Sequence, residues 1–257
     1  MYSIDLQGMN GIIFGVANEK SIAWAIAELL HEAGANVTLA YQNERVRDRV
    51  ANLVSEWKDP LLVECDVSSD GNVARAFSEF AQKHSSLSFA VHSIAYANRN
   101  DLGGAFYDTT REGFNTALEV SAYSLIPIAR HAAPLMKDGG SIMAMTFDAS
   151  ERVYPGYNVM GTAKAALENV VRQLASDLGG KNIRVNALSP GPLDTLAARG
   201  IHGFVDMRRI HAERSPLRRN ITQEEVAKAA LFLCSDLSSG ITGAVLPVDA
   251  GFRIMAV

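Results

Sequence analysis

No lysine or arginine occurs before Lys20, and the 257-residue chain carries a formal net charge of −4. The first absence leaves no charged start for a secretory leader, and the second leaves no basic footprint for nucleic acid. No apolar run approaches the ~18 residues that would span a bilayer; the N-terminal example, GIIFGVA, covers only residues 11–17. The expectation is a soluble, cytoplasmic protein with neither a membrane nor a nucleic acid as partner. Cysteine is scarce: Cys65 in VECDV and Cys234 in LFLCSD lie in apolar surroundings without a CxxC companion. They read as buried free thiols, not a disulfide or a metal site. The six histidines show no ligand spacing, so no metal is expected, and His92, inside an apolar run, reads as a packed core residue. Repeats, low-complexity tracts and Pro/Gly/Ser-rich linkers are also missing. One domain over 1–257 is therefore expected, long enough to bury roughly three quarters of its unfolded surface.

What is present is alternation. Short apolar, partly β-branched runs at 11–16, 35–41, 60–67, 88–95, 140–147, 183–191 and 244–251 read as buried strands. Helical periodicity fills the intervals at about 21–33, 44–57, 69–83, 110–136, 157–178 and 223–235. Strand and helix in turn imply right-handed crossovers and an α/β, Rossmann-like, doubly wound parallel sheet of about seven strands. Ligands bind such a sheet beyond the carboxyl ends of its strands.

The loop after the first strand, 15-GVANEKSIAWAIA-27, offers Gly15 for a tight turn and Ser21 as a helix cap, which would aim N–H groups at a pyrophosphate. The GxGxxG fingerprint is absent, and an ordinary strand, turn and capped helix fits the stretch equally well. At the end of the second strand, AYQNERVR, Gln42 is neutral and suits a ribose hydroxyl, which favours NADH over NADPH. Further on, Pro155 keeps Tyr154 out of the helix that follows, whereas Tyr157 and Lys164, seven residues apart, fall on one face about 10 Å from each other. A lysine beside a phenol favours its ionised form, improving it as a proton donor. Tyrosine and lysine also share a helix face often by chance.

Taken together, GVANEKSIAWAIA, CDV at 65–67, HSIAYA at 92–97, YNVMGTAK at 157–164, GPLDTLAA at 191–198 and SGITGAVLPVDAG at 239–251 resemble the NADH-dependent enoyl-acyl carrier protein reductases of the short-chain dehydrogenase/reductase superfamily. The resemblance runs in order through nearly the whole chain. It implies hydride transfer from NADH to the β-carbon of a 2,3-unsaturated acyl thioester in fatty-acid biosynthesis, an acyl carrier protein as partner, and a homotetramer. It places the cofactor against Gly15, Ala17, Ser21, Ile22, Gln42, Cys65, Asp66, Ile94, Lys164, Leu193, Asp194, Thr195, Leu196 and Ala197. Ala97, Phe147 and Tyr157 would face the acyl group, and a lid at about 193–219 would cover it. Catalysis would rest on Tyr157 and Lys164. The branch is distinguished by Tyr-x6-Lys where most of the superfamily has Tyr-x3-Lys; position 161 here is glycine.

Four departures stand out. Phe147 occupies a position where many relatives have a second tyrosine. SPGPLDT has Pro190 and Asp194 where SAGPIRT is frequent. Val120-Ser121 stands where superfamily reductases tend to have asparagine. The carrier-docking basic residues are replaced by His202, Val205 and Asp206, leaving Arg199, Arg208 and Arg209 as candidates within a segment, 196–219, of six arginines and two acids. Two rivals remain: a carbonyl-reducing relative, against which Ala144 stands where such enzymes keep a serine, and a non-catalytic cofactor-binding homologue.

Overall fold

The computed structural model describes residues 4–195, 198 and 203–256. Its framework is one seven-stranded sheet in the order β3-β2-β1-β4-β5-β6-β7, every neighbouring pair parallel. The strands are β1 (Asn10–Phe14), β2 (Asn36–Tyr41), β3 (Leu61–Glu64), β4 (Phe89–His92), β5 (Gly140–Met145), β6 (Ile183–Pro190) and β7 (Val245–Val248). Six fall inside the runs expected to form strands, and β1 begins one residue before its run. Both faces of the central strands are covered, which is why they read as continuous apolar runs and not as alternating ones.

Helices α1 (Ile22–Glu32), α2 (Glu44–Leu53) and α8 (Gln223–Cys234) pack one face around Ala23, Ile26, Leu30, Val50, Val226 and Leu233. Helices α3 (Asp70–Lys83), α5 (Leu125–Ala132) and α6 (Val159–Gly179) pack the other around Val73, Phe77, Phe80, Leu125, Ile128, Leu167 and Val171. Polar residues start most of them where the sequence places one: Asn43, Ser69 and Thr222 each accept a first-turn N–H, and Thr222 with Glu225 closes a full capping box. Chain order reverses between β1 and β4, so the ligand crevice of this topology opens above those two strands.

Three expectations change. The segment 110–136 is not one helix but α4 (Arg111–Leu118), a π-helical turn (Glu119–Tyr123), α5 and a 3₁₀ turn (Ala133–Leu135). Pro127 lacks the N–H that would reach back toward Tyr123, and the Ser124 N–H instead donates to the Glu119 carbonyl, five residues back, at 3.1 Å. The π turn lets α4 face a small cluster of Ala117, Val159, Met160 and Ala163, while α5 faces the main core. Secondly, α6 begins at Val159, two residues later than its periodicity suggests. Thirdly, residues Phe204–Arg214 form a helix, α7, within the segment read as a lid. Its weak amphipathicity hid it: only Phe204 and His211 are buried. Among the described residues no helix is long and apolar enough to cross a membrane.

Candidate active site

At the crevice the chain leaves β1 through Gly15, at φ +100°. A Cβ there would lie 2.0 Å from the Ser93 carbonyl oxygen, so the loops after β1 and β4 touch backbone to backbone and only glycine fits. Ser21 stands at the N-cap of α1, but its hydroxyl accepts from the Ala17 and Asn18 N–H groups, each at 3.1 Å, and from no first-turn amide. The expected cap is thus a loop clasp: two nearby donors on the incoming loop outcompete those of the helix. The α1 first turn, opened by Ile22, has no acidic side chain, which suits it to an anion. These features fit the pyrophosphate of a dinucleotide.

Gln42 is exposed in the bend after β2, and Arg47 is engaged with Glu44 at 3.7 Å. Asp66 accepts from the Ser68 N–H and hydroxyl at 3.0 and 2.8 Å. The Cys65 N–H donates to the Tyr41 carbonyl at 2.8 Å, extending β3 by one bond, while burial pushes its thiol up to about 12. Cys234 is buried and pushed up likewise, so both free thiols are unreactive packing groups. Ile94 packs against the core beneath α3 and α6. After β6, Leu193 is buried, Thr195 accepts the Ala198 N–H at 3.2 Å, and Asp194 lines a pocket with Arg208 and Asn220. Leu196, Ala197, Arg199 and His202 lie outside the described residues.

Five consecutive residues carry β5 into the site. The Met145 carbonyl accepts from Lys164 Nζ at 2.8 Å, and the Thr146 hydroxyl donates to Glu168 at 2.7 Å. The Phe147 ring packs edge-on against Tyr157, centroids 5.1 Å apart, and against Tyr154 at 4.8 Å. Asp148 accepts from the Tyr154 hydroxyl at 2.9 Å. The Ala149 carbonyl lies 2.8 Å from where a Cβ on Gly161 would stand, so the position at which most of the superfamily carries lysine has no room for a side chain.

Tyr157 is not on the helix, as the spacing suggested. It ends a turn closed by its own N–H to the Tyr154 carbonyl at 3.0 Å, and Asn158 follows at φ +35° before α6 begins. A non-glycine residue there is strained. Its Nδ2 donates to the Gly103 and Gly104 carbonyls at 3.1 and 3.3 Å, bonds that hold the strained turn against the loop after β4. Neither the turn nor Asn158 is foreshadowed by periodicity. The anticipated ionisation is also reversed: burial pushes the Tyr157 phenol above its ordinary value, because Lys164 turns to Met145 instead. Tyr157 is held protonated, as an O–H donor. Lys164 itself, 4% exposed, is pulled down to about 8 by burial, with Glu168 opposing.

Ala97 and Tyr157 pack on the same apolar cluster as Phe114 and Met160. Ala97 is delivered there by Ser121 in the π turn, whose hydroxyl accepts the Tyr96 N–H at 2.9 Å and reaches the Tyr96 carbonyl at 3.1 Å. Behind it His92 is fully buried, bonded to Ser124 at 2.8 Å and driven down to about 3 by desolvation, then by Lys164, so it stays neutral. On the far side a largely apolar pocket of about 350 Å³ separates Tyr154, Pro155 and Gly156 from Met207 and Ile210 of α7. His211 pins α7 in place, stacked on Phe252 at 4.7 Å and pressed where any Gly191 side chain would sit. Arg209 is tied within α7 to Asp206 and Glu213 at 3.5 and 3.0 Å.

Comparison with known proteins decides the family. The model for enoyl-(acyl carrier protein) reductase matches residues 15–253. The chain belongs to that family. A curated relative from Rickettsia typhi, an enoyl-[acyl-carrier-protein] reductase [NADH], is 46% identical over 250 residues, covering 97% of this chain and 96% of its own. One of the same name from Nostoc is 46% identical over 255 residues, covering 98% and 99%. Among solved structures, the Bacillus cereus enoyl-acyl carrier protein reductase with NADP+ and indole naphthyridinone superposes with a TM-score of 0.97 at 45% identity, both chains fully covered.

Proposed function

We propose that this protein reduces the 2,3 double bond of an enoyl chain carried by acyl carrier protein, with NADH, in fatty-acid biosynthesis. One observation carries the reading: a half-buried phenol kept protonated, packed on Phe147 and on the cluster that holds Ala97 at the carboxyl ends of the strands, with Lys164 buried on the helix that follows. NADH, when bound, supplies the hydride. Lys164 holds the nicotinamide ribose hydroxyls, and Gly15 with the first turn of α1 receives the pyrophosphate. Addition at the β-carbon leaves negative charge on the thioester oxygen, and the Tyr157 O–H donates to it. Such a donor lowers the barrier by roughly 3 kcal/mol. Gln42 and Asp66 would face the adenosine end, and Leu193, Asp194 and Thr195 would line the cofactor.

Phe147 replaces a second hydroxyl with an aromatic wall, so only one phenol serves the oxyanion. The apolar pocket between the Tyr154–Gly156 turn and α7 takes the acyl chain, making the 193–219 segment the lid. Arg208 and Arg209 both line the outer pocket beside it and remain candidates for the carrier's acidic surface, Arg209 being paired within its own helix with Asp206 and Glu213. Exposed Val153, Leu217 and Ile254 give copies of the chain an apolar surface to cover, consistent with the homotetramer. The test is to mix the protein with NADH or NADPH and a short enoyl or 3-ketoacyl thioester and follow nicotinamide absorbance. Oxidation of NADH by the enoyl substrate is expected. Turnover of the ketoacyl thioester alone would make it a carbonyl reductase, and no turnover of either a non-catalytic homologue.

A further inference from the structure

Two charges are buried side by side in this fold, and only one has a place in the reaction. Glu168 is 5% exposed and sits one turn beyond Lys164 on α6. Residues four apart on a helix share a face. Both are gripped by neighbouring residues of one strand end: Lys164 by the Met145 carbonyl at 2.8 Å, Glu168 by the Thr146 hydroxyl at 2.7 Å. A carboxylate is not placed this deep for packing, since an isolated one costs several kcal/mol of desolvation.

We infer that Glu168 is a positioning residue for the reductase reaction: its buried carboxylate is the counter-charge that keeps Lys164 an ammonium over the working pH range, and Thr146 fixes where that charge stands. The inference rests on the reading of Lys164 as the group that holds the cofactor. The surroundings support the assignment from each side. From β4, His92 faces Lys164 as a neutral ring, since its own protonation is opposed by burial and by the lysine. From the turn before α6, the Tyr157 phenol stays protonated. The Met145 carbonyl contributes a dipole without charge. Glu168 is thus the negative charge acting on Lys164 among the described residues, working against desolvation that has already brought the ammonium down to about 8. Without it, the neutral amine would compete with the ammonium near neutrality, and an amine has fewer donors for ribose hydroxyls.

Charge and hydrogen bonding are separable here. Glu168→Gln keeps an oxygen for Thr146 and removes the charge; Glu168→Asp keeps the charge and shortens the reach. NADH dissociation constants would be measured by nicotinamide fluorescence from pH 6 to 10 in the wild type, both variants and Lys164→Ala, with Tm recorded for each. The wild type should lose affinity as pH rises through the lysine's value. Glu168→Gln should match it at pH 6 and lose affinity about one pH unit earlier, with the alkaline limb of kcat/KM moving in parallel. Glu168→Asp should stay near the wild-type midpoint. If Glu168→Gln leaves the midpoint in place, or Glu168→Asp shifts it as far, the carboxylate serves the Thr146 bond and the inference falls. If Lys164→Ala retains the pH dependence, it is the reading of Lys164 that fails instead.

Discussion

Replacing Tyr157 by phenylalanine removes one oxygen from a group whose ring does the packing. The ring lies 5.1 Å from Phe147 and against the Ala97, Met160 and Phe114 cluster, and none of those contacts is lost. Among the described residues the hydroxyl makes no hydrogen bond, so the folded protein should barely notice, with Tm within about 1–2 °C of wild type. Turnover should fall sharply, because the donor acts on charge that develops only in the transition state: roughly 3 kcal/mol, or about 150-fold in kcat. NADH affinity should hold. Tyr154→Phe is the opposite experiment. From spacing alone that change should do almost nothing; the structure adds a charge-assisted bond to Asp148 at 2.9 Å. Its loss costs about 2 kcal/mol, or ~4–8 °C, with kcat changed less than about threefold. Steady-state assays of NADH oxidation beside thermal melts of the two variants read both effects. Since burial holds the Tyr157 phenol above its ordinary value, the alkaline limb of the rate belongs to Lys164 and should survive, on a smaller scale, in Tyr157→Phe. A Tyr154→Phe protein that melts normally but turns over slowly would refute the assignment, as would a Tyr157→Phe protein near full activity.

Gln42→Arg should shift preference toward NADPH by about tenfold or more, the worth of one charge-assisted contact to a 2′-phosphate; paired kcat/KM values with the two cofactors check it, and comparable use of both by the wild type would contradict the premise. Ser121→Ala deprives the Tyr96 N–H and carbonyl of their shared partner; KM for the enoyl thioester should rise about tenfold with kcat nearly kept, because the loss of about 1–1.5 kcal/mol falls on the loop that presents Ala97. At the start of α8, Arg219 and then the Thr222 N–H hold Glu225 down to about 2. Its folded value lies below the unfolded one, so the stability it contributes is complete above about pH 4.5 and drains away as pH falls toward 2. Urea midpoints measured across that range should fall less steeply for Glu225→Gln.

The sheet was legible because strands buried on both faces leave unbroken apolar runs, and the core helices because their buried positions recur with the helical period. Helix α7 escaped the same test: it buries Phe204 and His211 and little else, so its face carries no stripe. The site was legible at the level of residue type and spacing. Its geometry was not, since the turn that carries Tyr157 depends on Asn158 accepting a positive φ, held by carbonyls 54 and 55 residues away. Ser21 looked like a cap because it precedes a helix; which amides its oxygen would choose depends on how the loop folds back. Glu168 gave the plainest missed signal, an acid at a position that the period of α6 assigns to the core.

The π turn at Glu119–Tyr123 sets a constraint of another kind. One residue more than a regular helix needs is stored there, and it rotates everything downstream by about 100°. That offset lets a single rod turn Ala117 toward the substrate side and Leu125 and Ile128 toward the sheet. A one-residue deletion in this stretch would make the rod more regular and the protein worse, since one of its two faces would then point at the wrong neighbour. Protein engineers who idealise helices, or who align relatives and place gaps where structure looks irregular, should treat this residue as the one not to remove.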